Sequence, residues 1–394
     1  MVRQNNLLIL ILTVGVFGIL TTEMGIVGIL PVVAERFDIS VTEAGLLVSL
    51  FALAVAISGP ILPLLFSGIN RKKVMLLVLG IFVAGNIVSL LTSSFTILLI
   101  ARIVPAFFHP IYCALALTVA ATSVSKEEAP KAVSKVILGV NAGMILGVPI
   151  TTYIASVTSV EMAMLFFAIV NALALIATLV FIPSMPVKER LTYGTQIGVL
   201  KKPIMWVAIA TVVFIGSANS SINSFIAEYL GAVTHISGTT LTFALFIFGI
   251  ASLVGNFAGG RFLTKNAMRT ATFFPIVLGL FLMLSFLTGK SVVPMLITLL
   301  FWGILFAIGN NVSQYWISSS AQEAPDFANG MFLSCSNLGV TIGTSVGGLF
   351  ISGMGAQYIV IAGVLFLIMS LASILLRKYM FNPSTQQKAA GSRR

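Results

Sequence analysis

The sequence predicts an all-α membrane protein with twelve transmembrane helices in two pseudo-symmetric six-helix bundles. Three observations predict it. Apolar residues make up 58% of the 394 and charged residues only 8%, whereas soluble globular chains carry roughly 25% charge. Apolar runs of about 20 residues, each long enough to cross a hydrocarbon core of about 30 Å, recur along the whole chain. Short motifs also return at a nearly constant interval close to half the chain length.

Hydropathy and helix breakers place the first six spans at 7–33, 44–69, 74–92, 95–123, 133–157 and 162–182. The second six are placed at 204–230, 239–260, 270–287, 292–318, 331–353 and 357–376. The first run resembles a signal peptide, but it is too long for one and no A-x-A-like cleavage site follows, so it is read as a retained span. The longest polar connection, "PSMPVKERLTYGTQIGVLKKP", divides the sixes. The domain reading is an N-terminal bundle at 1–183, a cytoplasmic linker at 184–203, a C-terminal bundle at 204–377 and a cytoplasmic tail at 378–394.

The net charge of +11 could point to nucleic acid, but its placement points to a bilayer. With the N-terminus inside, 19 of the 22 Lys and Arg residues fall in cytoplasmic segments. Arg36 and Lys290 fall outside and Arg102 lies within a span. That bias predicts an even number of spans with both termini cytoplasmic. Cys113 and Cys335 lie inside apolar runs and suggest no disulfide framework.

The interval between halves rests on three matches. "EEAP" at 127–130 returns as "QEAP" at 322–325, an offset of 195. Asn141-x-Gly143-x3-Gly147 in span 5 returns as Asn337-x-Gly339-x3-Gly343 in span 11, an offset of 196. Arg71 after span 2 has its counterpart in Arg269 after span 8, an offset of 198. Three matches indicate a duplicated six-helix unit, an arrangement found in transporters with a midplane solute site.

The residues inside the spans carry the chemistry. Glu23 sits in mid-span, where a carboxylate costs about 2.5 to 3.5 kcal/mol on insertion scales. If span 1 ends near Leu30, Glu23 lies about 10 Å below the outer edge, and Arg102 lies about 10 Å below it on span 4. Matched depth predicts an ion pair. One reading makes Glu23 a titrating group, because the balance between a neighbouring charge and desolvation changes with water access. The other makes the pair a structural clamp. Arg102 keeps its proton, so it tunes a neighbour or holds an anion. His109, seven residues on and on the same face, is read as a proton relay or as a packing residue. With one other histidine in the chain, His235, no metal site is expected.

Span 7 is unusually polar. Ser217, Ser221, Ser224 and Glu228 follow one helical face, with Asn219 and Asn223 on an adjacent stripe. Such residues either glue helices or line a wet cavity. Six polar residues within 217–224 exceed what gluing needs, which favours the cavity, while Glu228 is near the outer end. Span 10 offers Asn310 and Gln314 at i, i+4, with Trp302 two turns earlier either stacking a planar solute or packing. The Asn and Gly pattern of spans 5 and 11 predicts close helix contact with the asparagine bonded across it, and Pro149 a bend in span 5.

Over essentially its full length the chain resembles the major facilitator superfamily, and within it the bacterial twelve-span drug:proton antiporters of the sugar-efflux and purine-efflux type. "TTEMGIVGILP" resembles that branch's opening signature, and "LLIARIVPAFFHPIY" its fourth span with Arg102, Ala106 and His109 in matching places. "NAGMILGVPI" resembles the antiporter signature, with Gly143, Gly147 and Pro149. The resemblance implies the major facilitator fold, a cavity lined by spans 1, 4, 7 and 10, and a place in the bacterial cytoplasmic membrane. The loop between spans 2 and 3 departs from the family pattern. "PLLFSGINRKK" has Ser67 at the usual acid and keeps only the basic end, Arg71 and Lys72, as a gating motif. Thr151 stands where a glycine often follows the proline, which predicts a looser backbone approach.

The leading expectation is therefore a secondary exporter that exchanges inward-moving protons for a small organic compound. Its partners are that solute, protons and the lipid bilayer; one chain supplies both halves, so a monomer suffices. Alternatives are a proton symporter for uptake and a non-transporting receptor or scaffold. An enzyme is not expected, because no H-E-x-x-H or G-x-S-x-G motif occurs. No Walker-type loop and no cofactor motif occur either, so ATP is not the expected energy source.

Overall fold

The computed structural model describes residues 2–125, 128–187 and 194–380. Glu127 of the first repeated motif, the linker residues 188–193 and the tail 381–394 lie outside the described residues. Among the described residues there is no strand.

The chain begins with α1 (Val2–Gly25), a 3-10 turn (Ile26–Ile29) and α2 (Leu30–Phe37). These form one apolar span to Phe37, about one turn longer than the expected end at residue 33. Pro31 sits in the first turn of α2, where its missing N–H leaves no bond unmade. The second expected span is broken into α3 (Val41–Ala44), α4 (Leu46–Ser58) and α5 (Leu62–Phe66). Ser40 opens α3 with a capping box to Glu43. There follow α6 (Arg71–Leu91), α7 (Phe95–Thr122), α8 (Ala129–Val157) and α9 (Val160–Phe181).

The second half holds α10 (Pro203–Asn223), α11 (Ile226–Ala232), α12 (Gly238–Thr288), α13 (Val292–Ser320), α14 (Pro325–Met354) and α15 (Ile359–Met380). The 51 residues of α12 would run about 77 Å if straight, more than two bilayer cores. Asn266 breaks it with φ −162° and ψ 93°, at the connection expected between spans 8 and 9. Ten helices among the described residues are long and apolar enough to cross a membrane. With α12 counted on both sides of its break and the thirty residues of α14 added, the twelve expected spans are all present as helices.

By its own contacts the chain divides into two compact units. The first is 1–192 with 226–231 and 236–246, and the second is 193–225 with 232–235 and 247–394. Each unit contains the same helix contact. In the first, a Cβ on Gly143 of α8 would lie 2.8 Å from the Phe17 carbonyl oxygen of α1, and one on Gly147 would lie 3.2 Å from Thr21 Cα. Gly25 of α1 faces Thr151 of α8, where a Cβ would lie 2.5 Å from the hydroxyl. In the second unit, Gly339 faces Val213, Gly343 faces Ser217 and Gly347 faces Ser221. The pairs 17/143, 21/147 and 25/151 thus recur as 213/339, 217/343 and 221/347, with both members displaced by 196. The third pair trades sides, Gly25 with Thr151 in one unit and Ser221 with Gly347 in the other. The approach expected to loosen at Thr151 is kept close by a glycine on the facing helix.

The asparagine expected to bond across this contact does not. Asn337 donates from Nδ2 to the Leu333 carbonyl 3.0 Å away in its own helix. Asn141 is half-buried with no bond to α1. The glycines alone bring the backbones close, and Pro149 lies inside an unbroken α8.

Candidate functional site

Glu23 occupies the last turn of the apolar α1, and α7 places Arg102 and His109 beside it. The Phe37 and Phe95 rings meet with centroids 6.1 Å apart, so α2 ends and α7 begins at one level. From that level Glu23 and His109 are each fourteen residues in, about 21 Å, while Arg102 is only seven. The longer first span therefore moves the depth match from Arg102 to His109. His109 Nε2 lies 3.3 Å from Glu23 Oε2, with the two side chains 4% and 10% exposed. The contact is close without being aligned as a hydrogen bond, and His109 Nδ1 has no partner. Cys113, one turn along α7, holds its Sγ 3.6 Å from the same Nε2.

Arg102 is buried, and the expected direct pair with Glu23 is replaced by a bond to the backbone. Its Nη2 donates to the Thr22 carbonyl oxygen at 2.8 Å. Its guanidinium sits 5.7 Å from the Phe51 ring centroid, an arrangement that favours a cation. The same ring meets His109 edge-on at 6.2 Å. Phe51 of α4 thus buttresses both basic side chains.

Thr22 is the anchor of the cluster. Asn171 of α9 donates 2.9 Å to its hydroxyl and 3.2 Å to the Gly18 carbonyl, and Asn86 of α6 reaches the same hydroxyl at 3.5 Å. Three helices, α6, α7 and α9, therefore hold α1 beside Glu23. Sequence reasoning did not select Phe51, Thr22, Asn86, Asn171 or Cys113. The two asparagines carry the signal that marked Glu23, a polar side chain alone in an apolar span.

In the second unit the serine stripe is occupied by helix packing. Ser217 and Ser221 face Gly343 and Gly347 of α14, and Ser224 Oγ lies 2.7 Å from Thr344 Oγ1. Ser221 also donates back to the Ala218 carbonyl. A repeat of three and four residues identifies a face; here the face meets α14 instead of an open cavity. Asn219 differs: it is 3% exposed, neither amide atom has a partner, and a Cβ on Gly309 of α13 would lie 3.1 Å from its nitrogen. Asn223 ends α10, half-buried, and Glu228 is half-buried on α11. Trp302 is buried and packs edge-on against Phe248 at 5.7 Å, a packing indole. Asn310 and Gln314 are exposed on α13.

The basic residues expected to gate, Arg71 and Lys72, are tied down inside the first unit. Arg71 donates from Nη1 to Thr122 Oγ1 at 3.1 Å and from its backbone to the Met185 carbonyl at 3.0 Å. Lys72 donates to the Leu179 carbonyl near the end of α9 at 2.9 Å, where a cation is favoured. Asn70 caps α6 and donates to Ser184 Oγ. An amide and two cations fasten the loop where the family pattern has an acid.

Comparison with known proteins sets these residues in context. The profile of the Major Facilitator Superfamily matches residues 12–325. The chain is 30% identical over 358 residues to the uncharacterized MFS-type transporter YtbD of Bacillus subtilis, covering 90% of each chain. It is 27% identical over 360 residues to the inner membrane transport protein YdhP of Escherichia coli, covering 91% of this chain and 92% of that one. It is also 27% identical over 345 residues to a probable sugar efflux transporter of Helicobacter pylori, covering 87% and 88%. The fold is similar to that of the nucleoside transporter NupG, with TM-score 0.76, 14% identity and coverage of 96% and 99%. It is equally similar to a bacterial homologue of the human lysosomal transporter Spinster, with TM-score 0.76, 15% identity and 96% of both chains.

Proposed function

We propose a proton-coupled exporter, starting from the fact that this chain belongs to the Major Facilitator Superfamily and is a multi-pass membrane transporter of small molecules. The observation that carries the proposal is the buried contact between Glu23 and His109. A carboxylate and an imidazole 3.3 Å apart can hold one proton between them, and rotation of either side chain aligns or breaks the bond. Arg102 keeps a fixed positive charge beside them while its bond to the Thr22 carbonyl holds α1 in register. When water reaches this group from one face of the membrane the proton arrives, and when water reaches it from the other the proton leaves. Solute binding is tied to the same change in access.

Export is favoured over uptake by the antiporter-like signature of span 5 (α8) and by the efflux name of one relative. The Lys and Arg bias supports an orientation with both termini cytoplasmic. One proton moving down 100 mV supplies about 2.3 kcal/mol, enough for a solute ratio on the order of fifty.

The test is solute-dependent proton movement in liposomes carrying the purified protein, screened over a compound panel. Glu23→Gln is expected to fold normally and to lose pH-driven exchange, keeping at most solute–solute exchange. Unchanged pH-driven exchange in that variant contradicts the assignment.

A further inference from the structure

The break in α12 carries charge that no described residue answers. Arg261, Lys265 and Arg269 fall within nine residues of chain and are all exposed. Among the described residues, none of their side chains makes an ion pair or a hydrogen bond. No Asp or Glu occurs between Glu228 and Glu323, and Glu323 is taken by Lys202. The first unit treats its basic connection differently. There Arg71 and Lys72 are bonded to Thr122 and to the Leu179 carbonyl, and the offset of 196 sets the apolar Leu65 and Ile69 against Arg261 and Lys265.

Each limb of α12 leads into these cations along one apolar stripe. Before the break, Ile250, Val254 and Phe257 are exposed, and Arg261 and Lys265 continue their face at steps of three and four residues. After the break, Arg269 opens a stripe that runs through the exposed Phe273, Ile276 and Leu280 at the same steps. Ile250 lies eleven residues from Arg261, and Leu280 eleven from Arg269, about 17 Å along either limb. One leaflet of hydrocarbon is about 15 Å thick. The stripes therefore run the length of acyl chains, and the cations stand at the level of the headgroups.

The geometry of the break adds a further preference for negative charge. The Asn266 side-chain oxygen accepts from the Arg269 N–H at 3.0 Å, the bond of a helix N-cap. Arg269 thus lies in the first turn of the second limb, where the helix dipole favours an anion. The fold places only cations there.

We infer that the apex of α12 is a binding site for an anionic phospholipid, its phosphate held by Arg261, Lys265 and Arg269 and its chains laid along the two stripes. Two guanidinium groups and an ammonium offer the phosphate charge-assisted hydrogen bonds. A lipid whose headgroup carries its own amine is already neutralised and gains less. A free anion forgoes the apolar contact along both limbs. The Lys and Arg bias supports a place for this apex in the cytoplasmic leaflet, and the inference does not rest on proton coupling.

The experiment is native mass spectrometry of the purified full-length protein in detergent, titrated with dioleoylphosphatidylglycerol and with dioleoylphosphatidylcholine. Phosphatidylglycerol is expected to bind about tenfold more tightly. Arg261→Gln, Lys265→Gln and Arg269→Gln are each expected to weaken it by about fivefold, and the triple variant by on the order of a hundredfold. Lys290→Gln removes an exposed cation from another connection and is expected to change nothing. The three side chains are exposed and unpartnered, so the variants should melt with the parent when lipid is absent. Phosphatidylglycerol should then raise the melting temperature of the parent and not that of the triple variant. Equal binding of the two lipids, an unaltered affinity in the triple variant, or an equal loss in Lys290→Gln overturns the inference. Displacement of the phospholipid by millimolar inorganic phosphate or glycerol 3-phosphate would overturn it as well, by showing that a free anion suffices.

Discussion

The contact of α1 with α8 and that of α10 with α14 are one device used twice. Glycines on one helix meet the backbone of the other at positions displaced by 196 residues, and the correspondence extends to the pair in which glycine and hydroxyl change sides. On this common frame the position of Glu23 corresponds to Asn219. The offsets of 195–198 carry Arg102 to 297–300 and His109 to 304–307, where no residue is ionisable. One repeat surrounds a carboxylate with an imidazole, a guanidinium and a fixed backbone; the other has a buried amide without a hydrogen-bond partner. Packing defines the frame in both, and charge distinguishes them. What makes an acid tolerable inside a span is its immediate company.

The largest expected effect comes from ignoring that company. Asn219→Glu places an acid on the second frame without partners, at a penalty of about 2.5–3.5 kcal/mol. Folded yield and melting temperature in detergent should fall sharply, while Glu23→Gln keeps both. If Asn219→Glu is as stable as the parent, local partners are not what makes position 23 permissive. The shared frame is tested next. Gly343→Val drives a Cβ into the Ser217 carbonyl and should destabilise by about 1–3 kcal/mol, whereas Gly353→Val meets no atom within 4 Å and should melt with the parent. Equal melting of the two variants would refute the glycine contact.

Smaller effects are expected where each unit is fastened at its edge. Arg71→Ala removes the bond to Thr122, an effect of about 0.5–1.5 kcal/mol, and a drop of many degrees in melting temperature would show that Arg71 does more than fasten the loop. The smallest belongs to Lys202 and Glu323, an exposed pair of the second unit. The hydrogen bond from Lys202 holds the Glu323 carboxyl below its ordinary range. A lowered folded value means that any stabilisation is present above the ordinary carboxylate value of about 4.3 and disappears as pH falls through the folded value. Glu323→Gln should therefore match the parent in acid and differ little at pH 7; a difference that grows on acidification contradicts this.

Much of the fold was legible because apolar runs of membrane length leave few alternatives to a helix. The breaks were less so. Residues 34–37, "AERF", look like a loop by polarity, yet they extend the first span and thereby bring His109 to the level of Glu23. The duplication was visible through Asn141, Gly143 and Gly147 and their copies, but their partners were not, since Phe17, Thr21 and Gly25 share no identity with Val213, Ser217 and Ser221. Glu23, Arg102 and His109 could be selected by type alone. Which of the basic pair touches the acid depends on helix depth to within a turn, beyond the accuracy of hydropathy. The serine face of α10 shows the converse limit: periodicity located the face, and only packing could reveal that α14 covers it.

The most direct test of the central claim is the infrared absorption of protonated carboxyl groups in the purified protein, followed across a pH titration. A band that vanishes in Glu23→Gln, shifts in frequency and midpoint in His109→Asn, and is unchanged in Asn219→Ala is the predicted result. A band that persists without Glu23, or one indifferent to His109, would contradict the account.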